Sequence, residues 1–308
     1  MEKRALGSLS VSLVGLGCNN FGIRLDQART TEVVHAALDA GIDFFDTADI
    51  YGGTQSEEFL GRALAGKRER AIIATKFGLP LDEQRKGASP VYIRRAVEDS
   101  LRRLGTDRID LYQLHRPDET VPIAETLGAL DELVKAGKVR EIGASNFSAA
   151  QIREAEAEVR PGGARFVSIQ NEYSLLKRDV ETDVLPECAA RDIAFLPYFP
   201  LASGLLTGKY RAGQTAPEGT RLTEPKSQLR ARFLEDALVA RAEELAQFAA
   251  KRGHTLLELA FSWLAARREV RSVIAGATSA AQVQANVRAV TWQLDADDLG
   301  ELNRIVPR

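Results

Sequence analysis

The stretch Phe44-Phe45-Asp46-Thr47-Ala48-Asp49-Ile50-Tyr51-Gly52 begins apolar, turns polar at Asp46 and stops at a glycine. A short apolar run bounded by turn formers has the length of a buried strand and is too short for a helix. Ala74-Thr75-Lys76-Phe77-Gly78 and Leu114-His115-Arg116-Pro117-Asp118 repeat the pattern. Each run delivers a titratable side chain (tyrosine, lysine or histidine) at or just beyond a strand end. The expectation is a set of strands that present proton-transfer groups on one rim.

Working outward, Val11 to Gly17, Ile42 to Asp46, Ala71 to Lys76, Arg108 to His115, Val139 to Ala144, Phe166 to Gln170, Ile193 to Pro197 and Ser272 to Ala275 read as eight strands. Amphipathic helices alternate with them: Ala28 to Ala40, Gln55 to Leu64 with Ser56 as its cap, Pro90 to Leu104 and Ile123 to Ala136. Two more helices, near Phe233 to Arg252 and Thr255 to Arg267, fill a longer insertion before the eighth strand. Alternation implies a parallel sheet. An open doubly wound sheet gathers its site at one switch point, whereas polar residues here end at least six strands, as in a closed barrel. The predicted fold is a (β/α)8 TIM barrel forming a single domain over residues 1–308, with a mobile loop over Arg211 to Pro225.

The 44% hydrophobic content supplies a large core and excludes a disordered chain. A net charge of −2 gives no reason to expect a nucleic acid or a membrane surface as partner. Lys67-Arg68-Glu69-Arg70 reads as a solvated loop. Cys18 and Cys188 are expected to be reduced thiols, the first residues lack the apolar stretch of a secretion signal, and a cytoplasmic protein is expected. His35, His115 and His254 are far apart, with no second ligand at metal spacing, so no metal site is expected. Two glycine-rich stretches are decoys. Gly15-Leu16-Gly17-Cys18-Asn19-Asn20 lacks the third glycine of a dinucleotide fingerprint. Gly204-Leu205-Leu206-Thr207-Gly208-Lys209-Tyr210 is one residue short of a triphosphate loop and has tyrosine where magnesium needs a hydroxyl.

Asp46, Tyr51, Lys76 and His115 form a coherent chemical set. A phenol is a poor acid at neutral pH, and an ammonium group beside it favours the phenolate. Lys76 supplies such a charge, Asp46 holds the ammonium, and the imidazole of His115 orients a carbonyl oxygen. Taken singly, each has an ordinary role as a cap, a rim aromatic, a solvated lysine or a loop-satisfying imidazole.

With these residues assembled, the chain resembles an aldo-keto reductase. The resemblance runs through Phe45-Asp46-Thr47-Ala48 with Tyr51-Gly52, Thr75-Lys76, Leu114-His115-Arg116-Pro117-Asp118, Gly143-Ala144-Ser145-Asn146-Phe147 and Gln170-Asn171-Glu172-Tyr173-Ser174. It continues through Pro200 to Lys209 and Gly276-Ala277-Thr278-Ser279 with Gln282 and Asn286. It implies an enzyme that binds NADPH (NADP+), with NADH also possible, and passes hydride to an aldehyde or ketone. Tyr51 would be the general acid, tuned by Lys76 and Asp46, with His115 placing the carbonyl. The resemblance also implies that Gly17, Cys18, Asn19 and Asp46 line the cofactor site, and that Ser145, Asn146 and Gln170 hold the carboxamide. Tyr198 would stack on the nicotinamide, and Phe199, Pro200, Leu201, Ala202, Ser203, Gly204 and Lys209 would follow the diphosphate. Arg221 would lie over the adenine, with Gly276, Thr278, Gln282 and Asn286 at the adenosine end.

Asn19, Phe21, Tyr51, Phe77 and His115 are the expected substrate contacts, with Arg116 close by, in an open site for small or aromatic carbonyl compounds. The chain departs from the family pattern at Phe199, where many relatives have serine, at Gln282, where an arginine often meets a 2'-phosphate, and at Ala285. The resemblance leaves two other readings. One is a regulatory subunit of a membrane channel that binds NADP(H) and turns over slowly; the other is a sugar-phosphate isomerase that needs no nicotinamide.

Overall fold

Eight strands run parallel around a central axis: β3 (Val14–Gly17), β4 (Phe44–Asp46), β5 (Ile72–Phe77), β6 (Ile109–Leu114), β7 (Val139–Ser145), β8 (Phe166–Glu172), β9 (Ala194–Tyr198) and β10 (Val273–Gly276). They are preceded by an antiparallel hairpin of β1 (Lys3–Leu6) and β2 (Leu9–Ser12). The computed structural model describes residues 1–211, 213–223 and 229–307. Sheet order is β10-β3-β4-β5-β6-β7-β8-β9. The ring closes where the Phe195 amide donates to the carbonyl of Glu269 and the Arg271 amide to that of Phe195. The loop expected over Arg211 to Pro225 lies partly outside the described residues.

The strand period of two sorts side chains between lumen and helix layer. Phe44, Ala74, Leu111, Leu196 and Ile274 form one apolar layer inside the barrel. Two residues further along the same strands stand Asp46, Lys76, Gln113, Tyr198 and Gly276. The lumen therefore changes from apolar to polar within one step of each strand, and the polar step forms the floor of the site.

The helices begin and end on local signals. Asp26 caps Gln27–Asp39, Ser89 caps Pro90–Leu104, and Ser148 and Thr255 form reciprocal capping boxes at Ala149–Ala157 and Leu256–Ala265. No helix among the described residues is long and apolar enough to cross a membrane.

Three local expectations are corrected. Val11 to Gly17 is two strands rather than one, because Ser12 turns to hydrogen-bond Val14 O and the chain leaves the hairpin to enter the barrel. Ser56 is not a cap, since Thr54 occupies that position. The Ser56 hydroxyl is buried, donating to Cys18 O at 2.8 Å and bonding Thr47 Oγ1. Lys67 to Arg70 is not simply solvated: Arg68 pairs with the buried Asp110 at 2.7 Å and bonds the carbonyls of Ala71 and Arg108.

Candidate active site

Asp46, the last residue of β4, is 5% exposed and anchors four elements. Its Oδ2 accepts from Lys76 Nζ of β5 at 2.7 Å. Its Oδ1 accepts from Gln170 Nε2 of β8 at 3.0 Å and from Gln113 Nε2 of β6 at 3.3 Å. Lys76 also donates to Thr47 O at 2.9 Å. A buried carboxylate and ammonium are tolerable because each is paired and further hydrogen-bonded.

Tyr51 follows Asp46 by five residues, and Lys76 Nζ lies 5.2 Å from the centroid of its ring. The His115 ring meets Tyr51 edge-on at 5.8 Å between centroids. The structure thus brings the three apolar runs together on one rim, as their strand ends require. The electrostatics differ from expectation at one point. Burial pushes the Tyr51 phenol above its usual range and outweighs the opposing pull of Lys76, with Asp46 adding to the rise. Burial also works against the Lys76 ammonium, yet Asp46 and Tyr51 hold it above its ordinary value. Burial, then the charges of Lys76 and Arg116, lower His115 to about 3. The imidazole is therefore neutral at physiological pH and keeps one N–H to donate.

Beyond this corner a cleft of about 550 Å³ crosses the strand ends. Ser145 Oγ donates to Gln170 O at 2.7 Å, while Asn146 Nδ2 donates to His115 O at 2.9 Å and to Ser145 Oγ at 3.0 Å. Tyr198 donates to Asn146 Oδ1 at 2.8 Å. Asn146 adopts φ 63°, and Phe199, Ala202 and Ser203 have φ of 52°, 45° and 56°. Such left-handed non-glycine residues persist only where surroundings over-determine them, and they cluster at ligand sites.

Gly204 has φ 100°, and a Cβ there would lie 3.1 Å from Lys209 Nζ, so the glycine lets the ammonium approach the backbone. The buried Ser203 hydroxyl has no partner. Gly17, Cys18, Asn19, Pro200, Leu201, Arg221, Gly276, Thr278, Gln282 and Asn286 complete the walls. A long cleft with convergent amides at one end, the cations Arg24, Lys209 and Arg221 on its walls and an unpartnered buried hydroxyl fits a dinucleotide.

Three expected contacts are corrected. Phe77 is fully buried and stacks on Tyr112 at 4.7 Å; because Lys76 faces the lumen, its neighbour must face the helix layer. Phe21 is equally buried, its ring part of the main core. Ala202 packs into that core as well, so its side chain contributes nothing to the cleft. Cys18 and Cys188 are free and buried, and burial raises both thiols, Cys188 to about 12.

The structure adds Gln113, Leu79, Arg24 and Arg232 to the set. Gln113 was open to discovery, since it stands two residues before His115 and shares its side of β6. Arg232 arrives from the short helix Leu229–Phe233, and nothing in the sequence ties that helix to the rim.

Residues 13–307 match the model of the Aldo/keto reductase family. The chain is 37% identical to the Aldo-keto reductase YhdN of Bacillus subtilis (strain 168), across 97% of this chain and 91% of that protein. It is 35% identical to Probable aldo-keto reductase 1 of Glycine max, across 96% and 86%. Among solved structures, the glycerol dehydrogenase AKR11B4 from Gluconobacter oxydans superposes with a TM-score of 0.83 at 33% identity, covering 98% of this chain and 94% of that one.

Proposed function

Because the chain belongs to the aldo/keto reductase family, a family of oxidoreductases, we propose that it is an NADP(H)-dependent carbonyl reductase that converts aldehydes or ketones to alcohols with Tyr51 as general acid. The observation that carries this reading is the corner where Lys76, held by Asp46 at 2.7 Å, lies 5.2 Å from the Tyr51 ring beside a neutral His115. When bound, the nicotinamide supplies the hydride.

The chain's own residues do the rest. Ser145, Asn146 and Gln170 line the inner end of the cleft with amide and hydroxyl groups that match a carboxamide, and Tyr198 offers the flat face for the ring. His115 donates its one N–H to the substrate carbonyl and, being neutral, neither competes for the proton nor repels Lys76. As negative charge develops on the carbonyl oxygen, Tyr51 releases its proton toward it. Burial keeps the phenol protonated until then, and Lys76 stabilises the phenolate that remains. Asp46 fixes Lys76 and, through Gln170, ties the acid to the cofactor amide site.

Lys209, Arg221 and Arg24 on the cleft walls support a cofactor that carries phosphate groups. At the adenosine end, Gln282 uses its Oε1 on Thr278, accepting from its amide at 2.8 Å. That leaves the Gln282 Nε2 amide group for the nucleotide.

Loss of NADPH absorbance over a panel of aldehydes, for the natural protein and for Tyr51→Phe, tests this. Tyr51→Phe is expected to lower kcat about 10²–10⁴-fold with NADPH affinity retained. NADPH binding without turnover in either protein would replace the reading with that of a regulatory nucleotide binder.

A further inference from the structure

The cleft carries more positive charge than its cofactor limb explains. Among the described residues its walls hold five cationic side chains, Arg24, Arg116, Lys209, Arg221 and Arg232, against one carboxylate, Asp46, which Lys76 already pairs. The chain as a whole is slightly acidic. Three of the five belong to the phosphate limb: Lys209 lies over Gly204, Arg221 lies over the Phe199 ring at 5.6 Å, and Arg24 is close enough to repel the Lys209 charge. Arg232 is bound by both carboxylate oxygens of Glu172, which neutralises it.

Arg116 is left over. It stands on the rim directly after His115, exposed, and makes no hydrogen bond or ion pair with any described residue. It lines the same cleft as His115, Tyr51 and Tyr198, so the guanidinium borders the corner in which His115 would meet a carbonyl oxygen, and its charge is felt at the His115 imidazole. A guanidinium offers a planar fork of donors that matches a carboxylate or a phosphate. We propose that Arg116 anchors an anionic group, carboxylate or phosphate, carried by the carbonyl substrate. The enzyme's preferred substrates are then small aldehydes or ketones with a negative charge, which rests on the reductase reading above.

Two matched pairs test it: 4-formylbenzoate against its methyl ester, and glyceraldehyde 3-phosphate against glyceraldehyde. The natural protein is expected to favour at least one anionic member fivefold or more in kcat/KM. Arg116→Gln should bring that ratio to about one, and Arg116→Lys should keep an intermediate preference that 0.3 M KCl weakens. A carboxylate preference without a phosphate preference, or the reverse, identifies which anion the fork accepts. Calorimetry of 4-(hydroxymethyl)benzoate and its methyl ester on the protein–NADP+ complex reads the same subsite without turnover. Failure of turnover alone therefore counts against the reductase reading, and the binding ratio still decides this one. A ratio near one in the natural protein, or an anion preference that survives Arg116→Gln, overturns the proposal.

Discussion

Asp49 stands two residues before Tyr51 and is 1% exposed, and the Ile50 amide and Tyr92 hydroxyl beside its carboxyl group offset that burial only in part. Its neighbour Glu57 accepts from Thr75 Oγ1 and Arg103 Nε, each at 2.6 Å. Burial first, and then repulsion from Glu57, raises Asp49 from 3.8 to about 7. The unfolded chain releases this proton near 3.8 and the folded chain only near 7, so stability falls as pH rises between those values. The slope from this group is at most about 1.4 kcal/mol per pH unit. Asp49→Asn should lose that slope, so its stability relative to the natural protein should improve steadily from pH 4 to pH 7 in urea titrations. A constant difference across that range would refute the assignment.

At this scale Asp46, Tyr51, Lys76 and His115 were legible because each ends or follows a short apolar strand. Phe77 and Phe21 misled because proximity in sequence says nothing about which side of a strand or turn a ring takes. The rise of the Tyr51 phenol was illegible because desolvation depends on how completely the site is enclosed.

Between elements, two backbones come close where the helix Gln55–Ala63 crosses the end of Pro90–Leu104. A Cβ on Gly61 would sit 2.4 Å from Leu104 O, and its partner there is backbone with little room to yield. Gly61→Ala is therefore expected to destabilise the protein by about 1–3 kcal/mol, despite the better helix propensity of alanine. Thermal unfolding checks this, and an unchanged or higher Tm would show that the two helices can part. Strand positions were readable from sequence to within a few residues, since hydrophobic runs and their polar ends mark them directly. The hairpin of β1 and β2 was not: its strands are four residues each, and half of β2 read as the start of the first barrel strand.

For the whole molecule, that hairpin explains how one end of the barrel is closed while the other stays open. Leu6, Leu9 and Val11 are buried against the apolar lumen layer of Phe44, Ala74, Leu111, Leu196 and Ile274. The Ser12 amide fixes the hairpin to Asp43, Ser8 to Glu141 and Arg4 to the carbonyls of Arg267 and Val270, all before the barrel strands or within their N-terminal halves. The active corner lies one layer above, at the strand ends, so stability and chemistry occupy opposite ends of the barrel. Leu6→Ala should open a cavity under this layer and destabilise the protein by about 2–5 kcal/mol. NADPH affinity measured well below the unfolding transition should stay within twofold, because the polar layer of Asp46, Lys76 and Gln113 keeps its own hydrogen bonds. Val91→Ala, at a side chain 79% exposed, serves as the surface control and should shift stability by no more than about 0.5 kcal/mol. A Leu6→Ala protein as stable as that control would mean the hairpin rests on the barrel without sealing it, and a parallel collapse of NADPH binding would mean the two lumen layers act as one.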